Sequence, residues 1–160
     1  MNRVNKILKH KRYREYVRRN EKEEQNRQFC KHGMTHFLDV ARIAWHLNVE
    51  ENAGIDKELI YAAALLHDIG RHLQYTDGIP HEQAGVLLAP PILAECGFER
   101  EETEAVLSAI GAHRDESVSG RNGLDGILYR ADKLSRPCYW CEREADCNWK
   151  QGKKNMKLKY

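Results

Sequence analysis

The sequence predicts an all-α protein of about six helices, and three observations support this class. Apolar residues recur at helical spacing in several segments, and no segment shows the alternating pattern of a half-buried strand. Helix-forming residues dominate these segments, while Gly and Pro are sparse and stand between them. The length of 160 residues suits a single domain with one core. We divide it into an N-terminal basic helix (1–28), a core (29–136) and a cysteine-containing basic tail (137–160).

The first three predicted segments differ in how much of their surface is apolar. Residues 2–28 carry apolar side chains on one face and charges on the other, which predicts one or two amphipathic helices. A second helix is expected from about Thr35 to Leu47. A third is expected from Asp56, a good N-cap residue, to Ile69, with Gly70 as the stop. The run IYAAALLH in this helix is apolar on nearly every face, so the helix should lie in the core.

Three further helices are expected, and their approximate bounds are 80–88, 101–113 and 124–135. Pro80 suits an early helical position, whereas Pro90-Pro91 should break or restart the first of these helices. The stretch SGRNGLDG contains an Asn-Gly turn signal and should form a loop. Pro137 ends the last helix.

Charge is distributed unevenly, although the net charge is only +2. Both ends are basic and the middle is acidic, a pattern that solvated helix faces and a solvated tail explain. Basic ends could also attract an anionic substrate, but they are weak evidence for nucleic acid, which we do not expect as a partner. No apolar run approaches the ~20 residues of a membrane helix, and no signal peptide is evident, so we expect a cytoplasmic protein that does not bind membranes.

The strongest local signal is LLHDIGR at 65–71, which places His67 and Asp68 at the end of a buried helix. Both residues are metal ligands and are costly to bury unless they are paired or coordinated. Consecutive helix residues differ by about 100° in direction, so the two side chains can reach one centre while pointing apart. A dipeptide alone matches too easily by chance. Four further residues lie near helix ends or on apolar faces: His36 in HFLDVARIA, His81 in PHEQAG, His113 in AIGAH and Asp132 in LYRADKLSR.

This ordered set resembles the HD superfamily of metal-dependent phosphohydrolases over about residues 32–136, which implies an HD-domain helical bundle. The two additional histidines resemble the subgroup that binds two metals, as bacterial dinucleoside tetraphosphatases of the HD type do, commonly with iron. The resemblance therefore implies two divalent ions, such as iron or manganese, with His67 and Asp68 at the catalytic centre. It implies that the first metal is bound by His36, His67, Asp68 and Asp132, and the second by Asp68, His81 and His113.

The resemblance also implies a reaction in which a metal-activated hydroxide attacks phosphorus. We expect a nucleotide, a dinucleoside polyphosphate or another small phosphate ester as substrate. Cations near the motifs would bind its phosphates, or else are ordinary surface residues: Arg71, Arg114, Lys133 and Arg136. The signatures of cyclic di-GMP phosphodiesterases and of guanosine tetraphosphate hydrolases are absent, which makes both activities unexpected. The resemblance is also compatible with a homodimer.

The five cysteines are an odd number, which argues against a disulfide framework. Cys138, Cys141 and Cys147 follow the core, and the resemblance brings Cys30 toward them. Four thiolates would bind a structural zinc ion or an iron–sulfur cluster, and the alternative is a loop of unliganded thiols. The arrangement resembles that of bacterial HD proteins ending in a cysteine motif and a Lys-rich tail. Cys96 is expected to be buried packing.

Two other functions were considered. The first is a non-catalytic HD-fold module that binds nucleic acid or a protein partner through its basic ends and cysteine motif, but the complete ligand set argues against it. The second is an oxygen-using di-iron enzyme, because some HD relatives have that chemistry. His32 is an ordinary helix-start residue or orients a metal ligand from one helical turn away.

Overall fold

The computed structural model describes residues 1–160 and confirms the all-α class, with eight α-helices, three 3-10 turns and no β-strand. The α-helices are α1 (Asn2–Lys9), α2 (Lys11–Glu23), α3 (Met34–Glu50), α4 (Lys57–Leu66), α5 (Arg71–Asp77), α6 (His81–Cys96), α7 (Arg100–Ala112) and α8 (Leu124–Leu134). The 3-10 turns are Glu116–Val118, Cys138–Trp140 and Gln151–Lys153. No helix is long and apolar enough to span a lipid bilayer.

Helix α4 lies at the centre of the bundle, as its apolar sequence predicts. The side chain of Asp56 accepts hydrogen bonds from the backbone N–H groups of Glu58 and Leu59 and so caps the helix. The residues from Ala62 to Leu66 are fully buried. Helices α3, α7, α8, α6 and α1 all contact α4, so their ends are positioned by one common core.

The two N-terminal helices belong to this core. Val4 and Ile7 of α1 and Tyr13 and Val17 of α2 are buried in the main hydrophobic cluster. The extended backbone of His10 separates the two helices. Most of their charged residues face outward, which agrees with the predicted amphipathic pattern. Helix α2 packs beside α5.

The prediction for the end of α4 was wrong. The helix ends at Leu66, residues 67–70 form a turn, and Gly70 precedes α5, which the sequence analysis did not identify. Gly70 has φ −84, so it is not a left-handed stop. Its role is close approach: a Cβ atom there would meet the Cβ of Ala84 at 2.6 Å and the backbone of α6 at 2.7 Å. This glycine therefore lets α6 pack directly on the turn.

The predicted break at Pro90-Pro91 was also wrong. Helix α6 continues through both prolines to Cys96 and ends at Gly97, which has φ 90. Burial of the neighbouring Ile92 and Leu93 offsets the backbone hydrogen bonds that the prolines cannot make. Helix α5, which was not predicted, and the division of the N-terminal segment at His10 account for the two helices beyond the six expected.

The tail after α8 contains no α-helix. The amide of Asn155 donates hydrogen bonds to the carbonyl groups of Lys133, Leu134 and Arg136, which lie at the end of α8. The tail is therefore attached at the end of the bundle where α8 terminates.

Candidate metal centre

Six sequence-predicted ligands come together at one end of the bundle. His36 lies in the first turn of α3, His67 and Asp68 follow α4, and the remaining three come from the start of α6, the end of α7 and the last turns of α8. The six residues are His36, His67, Asp68, His81, His113 and Asp132. Two of the three compact ligand groups consist of them alone, and the third combines His36 and Asp68 with His32. The helix ends place polar side chains in one spot while the apolar stretches behind them fill the core.

The first group contains four ligand atoms. The Nε2 atoms of His36 and His67 are 3.3 Å apart. They lie 3.7 and 3.4 Å from Asp68 Oδ2. They lie 3.5 and 3.9 Å from Asp132 Oδ1. Ligands about 2.1 Å from a tetrahedral ion are about 3.4 Å apart, so the separations of the two histidines from each other and from each aspartate suit one ion.

The second group uses the other oxygen of the same aspartate. Asp68 Oδ1 lies 3.2 Å from His81 Nε2 and 3.6 Å from His113 Nε2. The two Nε2 atoms are 3.1 Å apart. Because Asp68 presents one oxygen to each group, it can bridge two ions, as the His-Asp pair at a helix end predicts.

Backbone carbonyls fix the tautomer of two histidines. His67 Nδ1 donates to the carbonyl of Ala64 at 2.7 Å, and His113 Nδ1 donates to that of Ile110 at 2.6 Å. A carbonyl oxygen can only accept, so the proton of each neutral ring is on Nδ1. Nε2 therefore presents a lone pair to the centre.

Two further side chains orient the other histidines. His81 Nδ1 lies 2.5 Å from Gln74 Oε1, which also accepts from the backbone N–H of His81. His36 Nδ1 lies 3.2 Å from the hydroxyl of Ser135, which itself donates to the carbonyl of Asp132. Neither Gln74 nor Ser135 was predicted. Ser135 stands in the motif LYRADKLSR, but nothing in the sequence places it beside His36, 99 positions away, and Gln74 stands in none of the quoted motifs.

This hydrogen bonding leaves unpaired lone pairs at the centre. The Nε2 atoms of His36 and His67, and those of His81 and His113, face each other at 3.3 and 3.1 Å. With Nδ1 protonated, neither member of a pair can donate to the other. A cation bound between them would remove this repulsion, so the residues fit divalent metal ions.

Burial prepares these groups for metal binding. It lowers the pKa of His67 to about 4 and that of His81 to about 3, so both rings are neutral at neutral pH. Burial alone would raise the pKa of Asp68, but its neighbours His67 and Arg71 outweigh this and hold the pKa well below its usual range. Metal binding then needs no proton to be released from these three groups.

Helix α2 supports the turn that carries Asp68. The fully buried amide of Asn20 donates to the carbonyl of Asp68 at 2.8 Å and accepts from the backbone N–H of His72 at 2.8 Å. Glu24, just after α2, is 3% exposed. The sequence analysis missed both residues, because a partner about 50 positions away leaves no local signal.

Glu24 organises the groups around Arg71. Its Oε1 accepts from Arg71 Nε at 3.1 Å, from the hydroxyl of Tyr75 at 2.7 Å and from His32 Nδ1 at 2.8 Å. These bonds hold Arg71 Nη1 3.4 Å from Asp68 Oδ1. His32 is thereby fixed with a ring nitrogen within 4.8 Å of ligand atoms of His36 and Asp68. This position puts His32 itself among the residues that could hold an ion, which neither sequence-based alternative for His32 anticipated.

A cavity of about 710 Å³ opens in front of the second metal group. All four predicted substrate-binding residues line it: Arg71, Arg114, Lys133 and Arg136. Arg71 is buried and engaged by Glu24 and Asp68, whereas Arg114 is exposed. Lys133 pairs with Asp132, and Arg136 stacks on Trp149 at 3.8 Å. Arg27 and Lys153, which the sequence analysis did not select, add two further cations to the wall.

The four cysteines of the predicted second site also come together. Cys30, Cys138, Cys141 and Cys147 line one pocket of about 330 Å³, next to His36 and Ser135. No cysteine stands among the compact groups of ligand atoms that could hold a single ion. Cys96 is buried in α6, away from this pocket.

Comparisons with known proteins assign the family. The HD domain model matches residues 33–136. An uncharacterised protein of Clostridium beijerinckii is 46% identical over the full length of both chains. YueE of Bacillus subtilis, whose phosphohydrolase name is provisional, is 33% identical over 116 residues, which are 64% of this chain and 65% of YueE. The crystal structure of a predicted HD superfamily hydrolase from an uncultured Thermotogales bacterium superposes with a TM-score of 0.62 at 25% identity, covering 89% of this chain and 81% of that one. The chain therefore belongs to the HD domain family.

Proposed function

We propose that the protein is a metal-dependent phosphohydrolase acting on a nucleotide, a dinucleoside polyphosphate or another small phosphate ester. The observation that carries the proposal is the pair of ligand groups joined by Asp68, each with histidine lone pairs that face one another without a proton between them. The descriptions of YueE and of the Thermotogales structure as hydrolases support the same reaction class.

Some of these residues would bind the metal ions, and others would bind the phosphate groups of the substrate. His36, His67, Asp68 and Asp132 would hold one ion, and Asp68, His81 and His113 the other. Ions bound there would supply a hydroxide nucleophile at neutral pH and offset the charge of the phosphate. Arg114 and Lys133, which line the same cavity as Asp68, His81 and His113, would bind the phosphate oxygens.

The cavity favours a small phosphorylated substrate. Its volume of about 710 Å³ lies in the range of small-molecule sites. The wall carries six Lys or Arg residues, which suits a compound with several phosphate groups. Trp149 lines the same wall, is 40% exposed and has Arg136 stacked on its ring. A nucleotide base could stack beside this pair while its phosphates reach the metal centre.

A hydrolysis screen tests the proposal. Metal-free protein is loaded with Mn²⁺ or, without oxygen, with Fe²⁺, and phosphate or nucleotide release is measured from nucleotides, dinucleoside polyphosphates and simple phosphate esters. Asp68→Ala should reduce the activity to background and retain the helix content, whereas the exposed Asp77→Ala should behave as the wild type. Full activity in Asp68→Ala would refute the mechanism. Failure to bind metal would favour the non-catalytic module instead.

A further inference from the structure

The tail formed by residues 137–160 is folded with its cysteines inward and its large apolar side chains outward. None of its residues is buried, and the six that are partly sheltered are Cys138, Cys141, Glu144, Cys147, Lys154 and Asn155. Trp140 is 85% exposed and Leu158 is 69% exposed. Hydrophobic burial therefore cannot be what holds this segment in place. Polar contacts of Asn155 and Lys153 attach the tail near its C-terminal half, and the sheltered cysteines are the other point at which it approaches the body.

The cysteines share a pocket with a fourth one from the body. Cys30 precedes α3 and is partly buried, and its carbonyl accepts from Arg27 Nε at 2.8 Å. It faces the three tail cysteines across the pocket of about 330 Å³. Four thiols are the number of ligands that a tetrahedral zinc ion or an iron–sulfur cluster requires, and here they come from two distant segments of the chain.

The charges around the pocket suit an anionic group. Its wall contains three cations, Lys31, Arg136 and Lys154, against two carboxylates, Asp39 and Glu144. Lys154 is held there because its Nζ donates to the carboxylate and the carbonyl of Glu144, at 2.7 and 2.8 Å. Burial raises the pKa of the Cys30 thiol, although Arg136 opposes this, and bound iron would stabilise the thiolate. The cations would offset the negative charge of a cluster with four thiolate ligands.

The sulfur spacing distinguishes the two metal sites that four thiolates can form. A single zinc ion with Zn–S bonds of about 2.3 Å brings four sulfurs to about 3.8 Å from one another. Here no cysteine stands among the compact groups of ligand atoms that could hold a single ion. A cubane cluster places irons and sulfides between its thiolates, so it needs wider spacing and a pocket of its own.

We propose that Cys30, Cys138, Cys141 and Cys147 bind an iron–sulfur cluster of the [4Fe–4S] type that fastens the tail to the body. The cluster has a consequence for the cavity at the metal centre, because the tail contributes Trp149 and Lys153 to its wall. Loss of the cluster would release these two groups, while the six ligands of the metal centre belong to helices and the turn of the body.

Acid-labile sulfide tests this proposal separately from the metal centre, which contains no sulfide. Protein is purified without oxygen and without added metal, and iron, zinc, sulfide and visible absorption are measured. The wild type should contain about four sulfides per chain and absorb in the visible range through thiolate-to-iron charge transfer. Cys141→Ser should lose both signals, whereas Cys96→Ser should keep them. Asp68→Ala should also keep its sulfide, even where hydrolysis is lost.

Circular dichroism and a second variant address misfolding. The cysteine ligands lie outside the α-helices, so Cys141→Ser and Cys30→Ser should both retain the helix content while losing sulfide. Wild-type protein without sulfide, or with one zinc ion on the cysteines, would overturn the proposal. Equal sulfide in Cys30→Ser and the wild type would overturn the assignment of the ligands.

Discussion

The buried carboxylate of Glu24 provides the sharpest prediction about stability. Its oxygens receive hydrogen bonds from Arg71, Tyr75 and His32. Burial alone would raise the pKa of Glu24, but the interactions with His32 and Tyr75 outweigh it and lower the pKa to about 2. Glu24→Gln preserves the shape of the side chain but removes its charge. The guanidinium of Arg71, which is 9% exposed, then keeps only Asp68 as a counter-ion.

Removing one partner of a buried ion pair costs about 3 to 5 kcal/mol. We expect about 3 kcal/mol for Glu24→Gln, because Asp68 still compensates Arg71 in part and the amide oxygen can still accept one hydrogen bond. The variant should also bind the second metal more weakly, since Arg71 would pair more closely with the oxygen of Asp68 that faces His81.

Urea unfolding of metal-free protein measures this effect. Glu23→Gln is the matched control, because Glu23 is the preceding residue, is exposed and lies at the end of the same helix. Its free energy of unfolding should stay within about 0.5 kcal/mol of the wild type. A loss below about 1 kcal/mol in Glu24→Gln would refute the idea that α2 stabilises the turn through this carboxylate.

Three other predictions concern packing, protonation and ligand orientation. Gly70→Ala should lower the free energy of unfolding by about 1 to 3 kcal/mol, measured in urea, and reduce the metal content, because the new Cβ would lie 2.6 Å from the Cβ of Ala84 in α6. Gly152→Ala is the control, because a Cβ at Gly152 meets no atom within 4 Å. Metal-free protein should lose stability as the pH falls from about 6.5 to 4, because the pKa of His67 is near 6.5 in the unfolded chain and about 4 in the folded chain. The loss of unfolding free energy from His67 should be about 3 kcal/mol, measured by urea unfolding at each pH. An equal pH dependence in His67→Gln would contradict this prediction. Gln74→Ala should weaken metal binding by about 10- to 100-fold in a chelator competition, because His81 loses the acceptor that fixes its ring, and unchanged affinity would count against this role.

The sequence allowed the six metal ligands to be predicted because each stands at a helix end beside an apolar stretch that identifies the helix. His67 and Asp68 illustrate this. The helix is recognised by its apolar run, and these two polar residues interrupt that run at its end. Asn20 and Glu24 could not be predicted, although both are buried. They lie on a segment that reads as charged and solvated, and only the tertiary packing of α2 on α5 brings them to the turn.

The errors in the helix boundaries have one common origin. Gly70 and the pair Pro90-Pro91 were interpreted from local conformational preference, as a stop and a break. In the structure, packing decides both: Gly70 provides room for α6, and the helix with the two prolines is held by the buried side chains that follow them. Local preference is too weak to outweigh these tertiary contacts.

Manganese uptake tests the two-metal centre most directly, because manganese would not be counted with any iron–sulfur cluster. Metal-free wild type, His67→Ala and the exposed-histidine control His46→Ala are incubated with excess Mn²⁺, freed of unbound metal and analysed for manganese. We expect about two manganese ions per chain in the wild type and in His46→Ala, and at most one in His67→Ala with unchanged helix content, because that variant lacks a ligand of the first ion but keeps Asp68, His81 and His113 for the second. No manganese in the wild type, or the same content in His67→Ala, would contradict the account.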